Sequence, residues 1–487
     1  MKLILAASSA LAIYLGWRSW SWPLIHDAPI MHYVAWLVSL GAVPYRDVFD
    51  MNVPGVYLLH LGVIRVLGEG DGAWRFFDLA WLGLTSAALF GFSRRMGDAW
   101  SGFGAALLFV LYHLSGGAWR AGQRDFLLVL FLVLAAWGAA RAWESGGAHG
   151  PLLWGGLAAG TGIMIKPQSA LFWIACAAVA AGSGRRAGAL RALAIWCAAG
   201  LAVPAAIMGW LAWRGGAGAF LGIATGYVLP LYSRVGRVSV WEGVRWHVYG
   251  WQIWSCLIVL GVLGIFVRIE KPFGIRRWLA LAGAVYGLLH FAVQGKGWEY
   301  HLYPLAVFLC ALASVPIAAR AERAQSVRWS RALASVVLVI AVALLAVKGV
   351  EAADARWITE KEARVSSLVR DLTGLAGPGD SVQVMDVTEG GIHALLRLHL
   401  RQPTRFLYDF HFFHDERDPR IQALRAEFVG DLERGRPAAV VVFRDTWRRQ
   451  GYERLKEFSA VDRLLEREYT LAVEGDGYRI YAKRRRS

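Results

Sequence analysis

The chain has 487 residues, of which 56% are apolar and only 18% charged, against about 25% charged in an ordinary globular domain. With a mean hydropathy of +0.41, this excludes an ordinary soluble enzyme and predicts a polytopic membrane protein. The formal charge of +16 would suit nucleic acid if Lys and Arg gathered on one face; they punctuate the apolar runs instead, so the expected partners include membrane lipids and no nucleic acid.

A helix needs about 20 apolar residues to cross a bilayer, with a range of about 17 to 25. The first run covers 3–20 and opens like a secretory signal, but Trp17, Arg18, Ser19 and Trp20 make a poor cleavage site, so it reads as a retained span. Further spans follow at 74–92, 100–115, 124–142, 151–165, 168–182, 189–213, 249–267, 278–294, 302–319 and 332–350, eleven in all. Cys176, Cys197, Cys256 and Cys310 lie inside these spans and read as small core residues.

Short basic loops orient a membrane chain. With a cytoplasmic N-terminus, the inside loops hold Arg94 and Arg95, Arg141, Arg185, Arg186 and Arg191, then Arg268, Lys271, Arg276 and Arg277, and last Arg320, Arg323, Arg328 and Arg331. The outside then receives the first loop (21–73), 116–123, the turn at Lys166 and Pro167, a long loop at 214–248, 295–301 and the tail. Within the first loop, 29–40 and 54–67 are apolar with polar interruptions and each opens on a proline, which predicts helices lying in the interface.

From 352 to 487 the long apolar runs give way to globular periodicity. Helices are predicted over 358–374, 390–400 and 420–435, and strands at 381–387, 438–443, 469–473 and 478–482. The predicted architecture is therefore an α-helical polytopic membrane domain over 1–351 and a small α/β domain over 352–487, outside the membrane. The tail holds neither a GxSxG elbow nor a phosphate loop, and reads as a lid or acceptor-docking domain. The His residues show no HExxH or other zinc spacing.

Carboxylates beside a bilayer are costly, so Asp27, Asp47 and Asp50 in the first loop mark a candidate site. A helix cap explains Asp27, and loop ordering explains the other two, without any chemistry. Asp47 and Asp50 are three residues apart and would share a face on a helix; with Asp27 they could hold Mg²⁺ or Mn²⁺, which prefer oxygen ligands.

The order of these residues resembles the first outer loop of the GT-C superfamily of membrane glycosyltransferases. An apolar helix is followed by Asp27, an interfacial helix, Gly41, Pro44-Tyr45, Asp47, Asp50 and Asn52-x-Pro54-Gly55-x-Tyr57, with Trp74-Arg75 opening the next span. Arg124-Asp125 at the start of a span, Lys166-Pro167 in a turn, and Lys296, Tyr300, His301, Tyr303 and Pro304 before a later span add to the likeness. It is similar above all to the protein O-mannosyltransferase and aminoarabinose lipid A transferase branch, and covers roughly 1–350.

The resemblance implies an enzyme that takes a sugar from a polyprenyl phosphate or pyrophosphate on the outer face. The sugar passes to a hydroxyl of a lipid, glycan or protein, usually with inversion. It makes Asp27 the general base. Where the better-known branches have Glu after that Asp, this chain has Ala28, so Asp47 or Asp50 would supply a second carboxylate. Where the family has a phosphate-binding Lys before the loop proline, this chain has Asn52-Val53-Pro54, so phosphate charge would fall to Lys166, Arg124, Lys296 or Arg75. The chemistry itself needs such groups: a carboxylate for the acceptor's proton and cations for the leaving phosphate.

Substrate-contact candidates are His26, Tyr45, Asn52, Tyr57, Tyr300, His301 and Tyr303, with Arg234, Arg237 and Arg245 in the basic, aromatic loop at 214–248. Two other functions fit the composition: a transporter or lipid-linked-sugar flippase, and an outer-face glycan ligase or polymerase that would rely on the 214–248 loop. The expected location is a bacterial inner membrane.

Overall fold

The computed structural model describes residues 2–184, 186–246, 252–266, 274–317, 325–445 and 450–484. The membrane part opens with α1 (Lys2–Arg18), α2 (Asp27–Ser39), α3 (Gly55–Leu67), α4 (Asp71–Ser93), α5 (Ala99–Ser115), α6 (Arg124–Glu144), α7 (His149–Ile165), α8 (Ala170–Gly182) and α9 (Arg186–Trp213). It continues with the short α10 (Ala217–Ile223) and α11 (Val240–Val244), then α12 (Gln252–Phe266), α13 (Ile275–Gln294), α14 (Tyr303–Ala313) and α15 (Gln325–Ala353). Each of the eleven expected spans overlaps one of these helices, with 249–251, 267, 318 and 319 outside the described residues. Among the described residues, five helical stretches are long and apolar enough to cross a membrane, at Asp71–Ser93, Arg124–Glu144, Gly188–Trp213, Glu299–Ile317 and Trp329–Thr373.

Small residues let the helices approach closely, as they must where no hydrophobic effect draws apolar surfaces together. A Cβ on Gly160 of α7 would lie 2.1 Å from the Gly200 carbonyl of α9. Gly55 is fixed in the same way, because a Cβ there would lie 2.2 Å from the Met164 carbonyl. That contact seats the start of α3 on the end of α7.

The arginine-rich ends meet at one side of the bundle. Glu144 at the end of α6 takes Arg276 from the start of α13 at 2.5 Å and Arg95, beyond α4, at 3.3 Å. The expected interfacial helices are α2 and α3, at the opposite end. Helix α2 begins two residues before its proline, because Pro is tolerated in a first turn and Asp27 complements the positive helix end. The 214–248 segment differs from expectation. It is not an open loop: α10 runs on into a π-helical stretch, Ala224–Tyr232, carried through Pro230. Arg185, His247, Arg268, Lys271, Arg320 and Arg323, and the side chains of Arg186 and Arg328, lie outside the described residues.

The tail holds α16 (Arg356–Thr373), β1 (Val382–Met385), α17 (Gly391–Leu398), α18 (Pro419–Gly435), β2 (Ala439–Phe443), α19 (Arg454–Glu457), α20 (Ser459–Glu468), β3 (Tyr469–Glu474) and β4 (Tyr478–Lys483). Its sheet runs β1-β2-β4-β3. Strands β1 and β2 pair in parallel, and β4 lies antiparallel to both β2 and β3. Parallel pairing needs a crossover, which α17 and α18 supply, and β1 and β2 are buried throughout.

Arg454 and Asp409 form a fully buried pair, with Nε and Nη2 at 3.1 and 2.7 Å from Oδ2. Removing one partner strands the other charge. Arg454→Met should therefore destabilise the tail by about 3–5 kcal/mol, seen as an early step in thermal unfolding of the full chain in detergent.

The tail packs on the first loop through a single apolar core that takes Tyr33, Tyr45, Phe49 and Tyr57 from the loop and Leu400, Phe406 and Tyr408 from the tail. Phe49 N–H donates to the Arg405 carbonyl at 2.7 Å, and the Tyr33 hydroxyl donates to the Leu400 carbonyl at 2.9 Å. Arg397 pairs with Asp71 at 2.6 Å and His399 meets Glu69 at 2.7 Å.

Candidate active site

Asp27 is the first residue of α2 and Arg124 the first of α6. Two helix starts from separate parts of the chain thus bring a carboxylate and a guanidinium to one place, 3.8 Å apart. Both line a cavity of about 150 Å³, together with His26, Asn52, Trp119 and Gln123. Tyr232, Trp298 and Tyr300 form another wall, and Val387, Thr388, Tyr408 and Phe410 of the tail close it. The cavity lies at the end of the bundle opposite the arginine-rich one.

His26 turns the chain into α2 with φ at +54°. A non-glycine residue in that region is strained, a state that persists only where surroundings hold it. Here its ring lies 3.8 Å from that of Trp119, and Nδ1 lies 3.3 Å from the Lys361 ammonium of α16. An ammonium only donates, so Nδ1 accepts and the imidazole proton sits on Nε2. Burial, and then the Lys361 charge, hold His26 well below the ordinary imidazole range.

Asp50 is buried beneath the cavity. Its Oδ1 accepts from the Met51 N–H at 2.5 Å and from Asn52 Nδ2 at 2.9 Å. Burial raises its carboxyl above the usual range, opposed by the Tyr57 hydroxyl beside it and by the Arg124 charge. Asp47 is engaged elsewhere. It pairs with Arg46 at 2.8 Å and accepts the Val43 N–H at 2.8 Å, and Arg46 above all holds it below the ordinary carboxylate range. Half-exposed pairs of this kind contribute about 0–1 kcal/mol. Asp47→Ala should leave sugar transfer within about threefold of the unaltered protein in a membrane assay, whereas a large loss would give Asp47 a direct role.

Among the described residues no three His, Cys, Asp or Glu side chains gather as metal ligands. Of the three carboxylates expected to hold a cation, Asp27 lines the cavity, Asp50 is bonded to its own loop and Asp47 pairs with Arg46.

The candidate cations divide sharply. Arg124 faces the cavity, and its buried Nε makes no hydrogen bond among the described residues. Lys166 lies behind it, 3.0 Å from Asp125, whose other oxygen meets His290 Nε2 at 2.6 Å. Lys296 donates to the carbonyls of Tyr232, at 3.0 Å, and Val235, capping the π-helical stretch; burial and then Arg237 push its ammonium down to about 8. Arg75 is locked to Asp78 at 2.5 Å and to Ser19.

Of the remaining candidates, Asn52 and Tyr300 join His26 at the cavity. Tyr45 donates to the Asn52 carbonyl at 2.5 Å, and Tyr303 is tied to His113 at 2.7 Å. Tyr57 and His301 are buried near the cavity without lining it, and Arg234, Arg237 and Arg245 are exposed. Sequence reasoning missed Gln123, Thr388, Tyr408 and Phe410. Gln123 adjoins a singled-out Arg, so proximity could have flagged it; the tail residues carry no motif.

The architecture is similar to that of several solved structures. ArnT from Cupriavidus metallidurans in the apo state aligns over 98% of this chain and 97% of its own, with a TM-score of 0.65 at 12% identity. The structure of ArnT bound to undecaprenyl phosphate aligns over the same shares with a TM-score of 0.62 and 12% identity. AglB from Archaeoglobus fulgidus, in complex with an inhibitory peptide and a dolichol-phosphate, aligns over 99% of this chain and 74% of its own, with a TM-score of 0.52 at 13% identity. The chain thus has the fold of the GT-C superfamily of membrane glycosyltransferases. Residues 52–213 match the family model described as dolichyl-phosphate-mannose-protein mannosyltransferase. A search of curated proteins gives no match.

Proposed function

We propose that the chain transfers a sugar from a polyprenyl phosphate or pyrophosphate donor to a hydroxyl of a lipid, glycan or protein. The observation that carries this reading is the Asp27–Arg124 pair at the cavity. The bound undecaprenyl phosphate and dolichol-phosphate of the similar structures support a lipid-linked donor. The separation of the cavity from the arginine-rich ends supports action on the outer face of the inner membrane, with a cytoplasmic N-terminus and the tail outside.

In this reaction the acceptor oxygen attacks the anomeric carbon from the side opposite the phosphate. Its proton passes to an Asp27 oxygen as the bond from the anomeric carbon to the phosphate oxygen breaks. The electron pair leaves with the polyprenyl phosphate, and the sugar inverts. Arg124 turns from Asp27 to the phosphate and offsets the charge that develops there. A general base at Asp27 then acts only once the acceptor is in place, which limits loss of the donor to water.

Removing the gene and profiling lipid-linked sugars and surface glycans by mass spectrometry tests this reading. A polyprenyl-phosphate sugar should accumulate while one sugar disappears from an envelope component. Unchanged pools of both would contradict it.

A further inference from the structure

Four tail residues close the cavity, and the groups exposed there bear on the kind of sugar it accepts. This argument rests on the proposed function, which assigns Asp27 to the acceptor proton and Arg124 to the phosphate. Of the other lining side chains, none carries a charge. Burial, and then the Lys361 ammonium facing Nδ1, keep His26 neutral. The nearest further charges are engaged with their own partners: Lys361 with His26 at 3.3 Å and Glu389 at 3.8 Å, Asp50 with its loop, and Lys166 with Asp125.

What remains is a set of neutral hydrogen-bonding groups. Asn52 Oδ1 and Gln123 Oε1 are buried acceptors without a hydrogen bond among the described residues, on residues only 4% and 3% exposed. Such orphaned acceptors cost free energy until a donor reaches them. Both oxygens are closed to water in this structure, so a ligand hydroxyl meets them once the amides turn toward the space. Tyr408 lines the same space, and burial holds its phenol far above the ordinary range, so its hydroxyl stays a neutral donor. Trp119 and Trp298 also line the space. The space, about 150 Å³, is that of roughly five water molecules.

From this we infer that the tail forms the roof of the sugar subsite and that the donor sugar is an uncharged monosaccharide, selected by Tyr408 and Thr388 opposite Asn52 and Gln123. An ammonium or carboxylate on the sugar would be taken from water with no opposite charge left to meet it, which is costly. The tail is then part of the binding site and not only a lid.

The test uses the purified full chain in lipid nanodiscs and competitive binding read by native mass spectrometry. The probes are undecaprenyl phosphate alone and undecaprenyl phosphate carrying glucose, mannose or arabinose, glucosamine with a free amine, or glucuronic acid. At least one uncharged form should bind roughly tenfold or more tightly than the bare lipid phosphate, the gain expected from a few new hydrogen bonds. The amine and acid forms should show no such gain. In Tyr408→Phe and Thr388→Val the ratio of sugar-bearing to bare lipid should fall by roughly threefold or more. Because two lipids are compared in one preparation, a partial loss of folded protein lowers both signals alike, and the ratio reports only the protein that still binds bare lipid phosphate.

Tightest binding of the amine or acid form, or an unchanged ratio in both variants, would overturn the inference while leaving the lipid-phosphate reading in place. Failure of bare undecaprenyl phosphate to bind the unaltered protein would overturn that reading itself.

Discussion

Asp27→Asn is expected to lower sugar transfer by about 10²–10⁴-fold, the range a positioned general base contributes. Asparagine has the same shape and can still meet Arg124, so the helix start and the cavity persist. What is lost is the ability to take a proton. The lipid donor should bind with little change, because the leaving phosphate is held by Arg124. Measured with purified protein, the variant should show near-normal donor binding and a collapsed turnover. A variant with close to full activity would remove Asp27 from the chemistry.

Arg124→Gln is expected to lose about 10²–10³-fold, the scale seen when one group that stabilises developing charge is removed. Here the loss should fall on donor binding as well as on turnover, because the phosphate is charged before and after the bond breaks. Lysine at this position should restore part of the activity, as a point charge that lacks the planar fork of arginine. The contrast with Asp27→Asn is informative: one variant binds donor and fails to transfer, the other fails at both. Variants of Lys296 or Arg75 should instead lower stability, since those cations hold a carbonyl cap and a buried ion pair.

Much of the fold was legible in the sequence because its signals are local. Apolar runs of sufficient length mark helices, and the tail's alternation between helical and strand periods marks its sheet. The segment 224–232 was not legible, because Gly226, Pro230 and the polar residues that follow read as loop while the structure carries a π-helical stretch through them. The two short tail helices α19 and α20 were missed as well, since charged, amphipathic pieces next to strands give a weak signal.

The site was legible only in part. Asp27 and Arg124 stand out as charged residues at the edges of apolar segments, and the structure brings them together. Lys296 and Arg75 stand out for the same reason, yet their charges are spent on internal partners. A lysine bonded to carbonyls looks the same in sequence as one that waits for a phosphate. Tyr408 lies hundreds of residues from Asp27, and only the packing of the tail on the first loop places it at the cavity.

The most direct measurement reconstitutes the purified protein with a radiolabelled polyprenyl-phosphate sugar and membrane extract as acceptor. Formation of a glycosidic bond and release of polyprenyl phosphate are then followed together. The account predicts equal amounts of the two, with the anomeric configuration inverted. Movement of the intact labelled donor across the bilayer with no new glycosidic bond would contradict it.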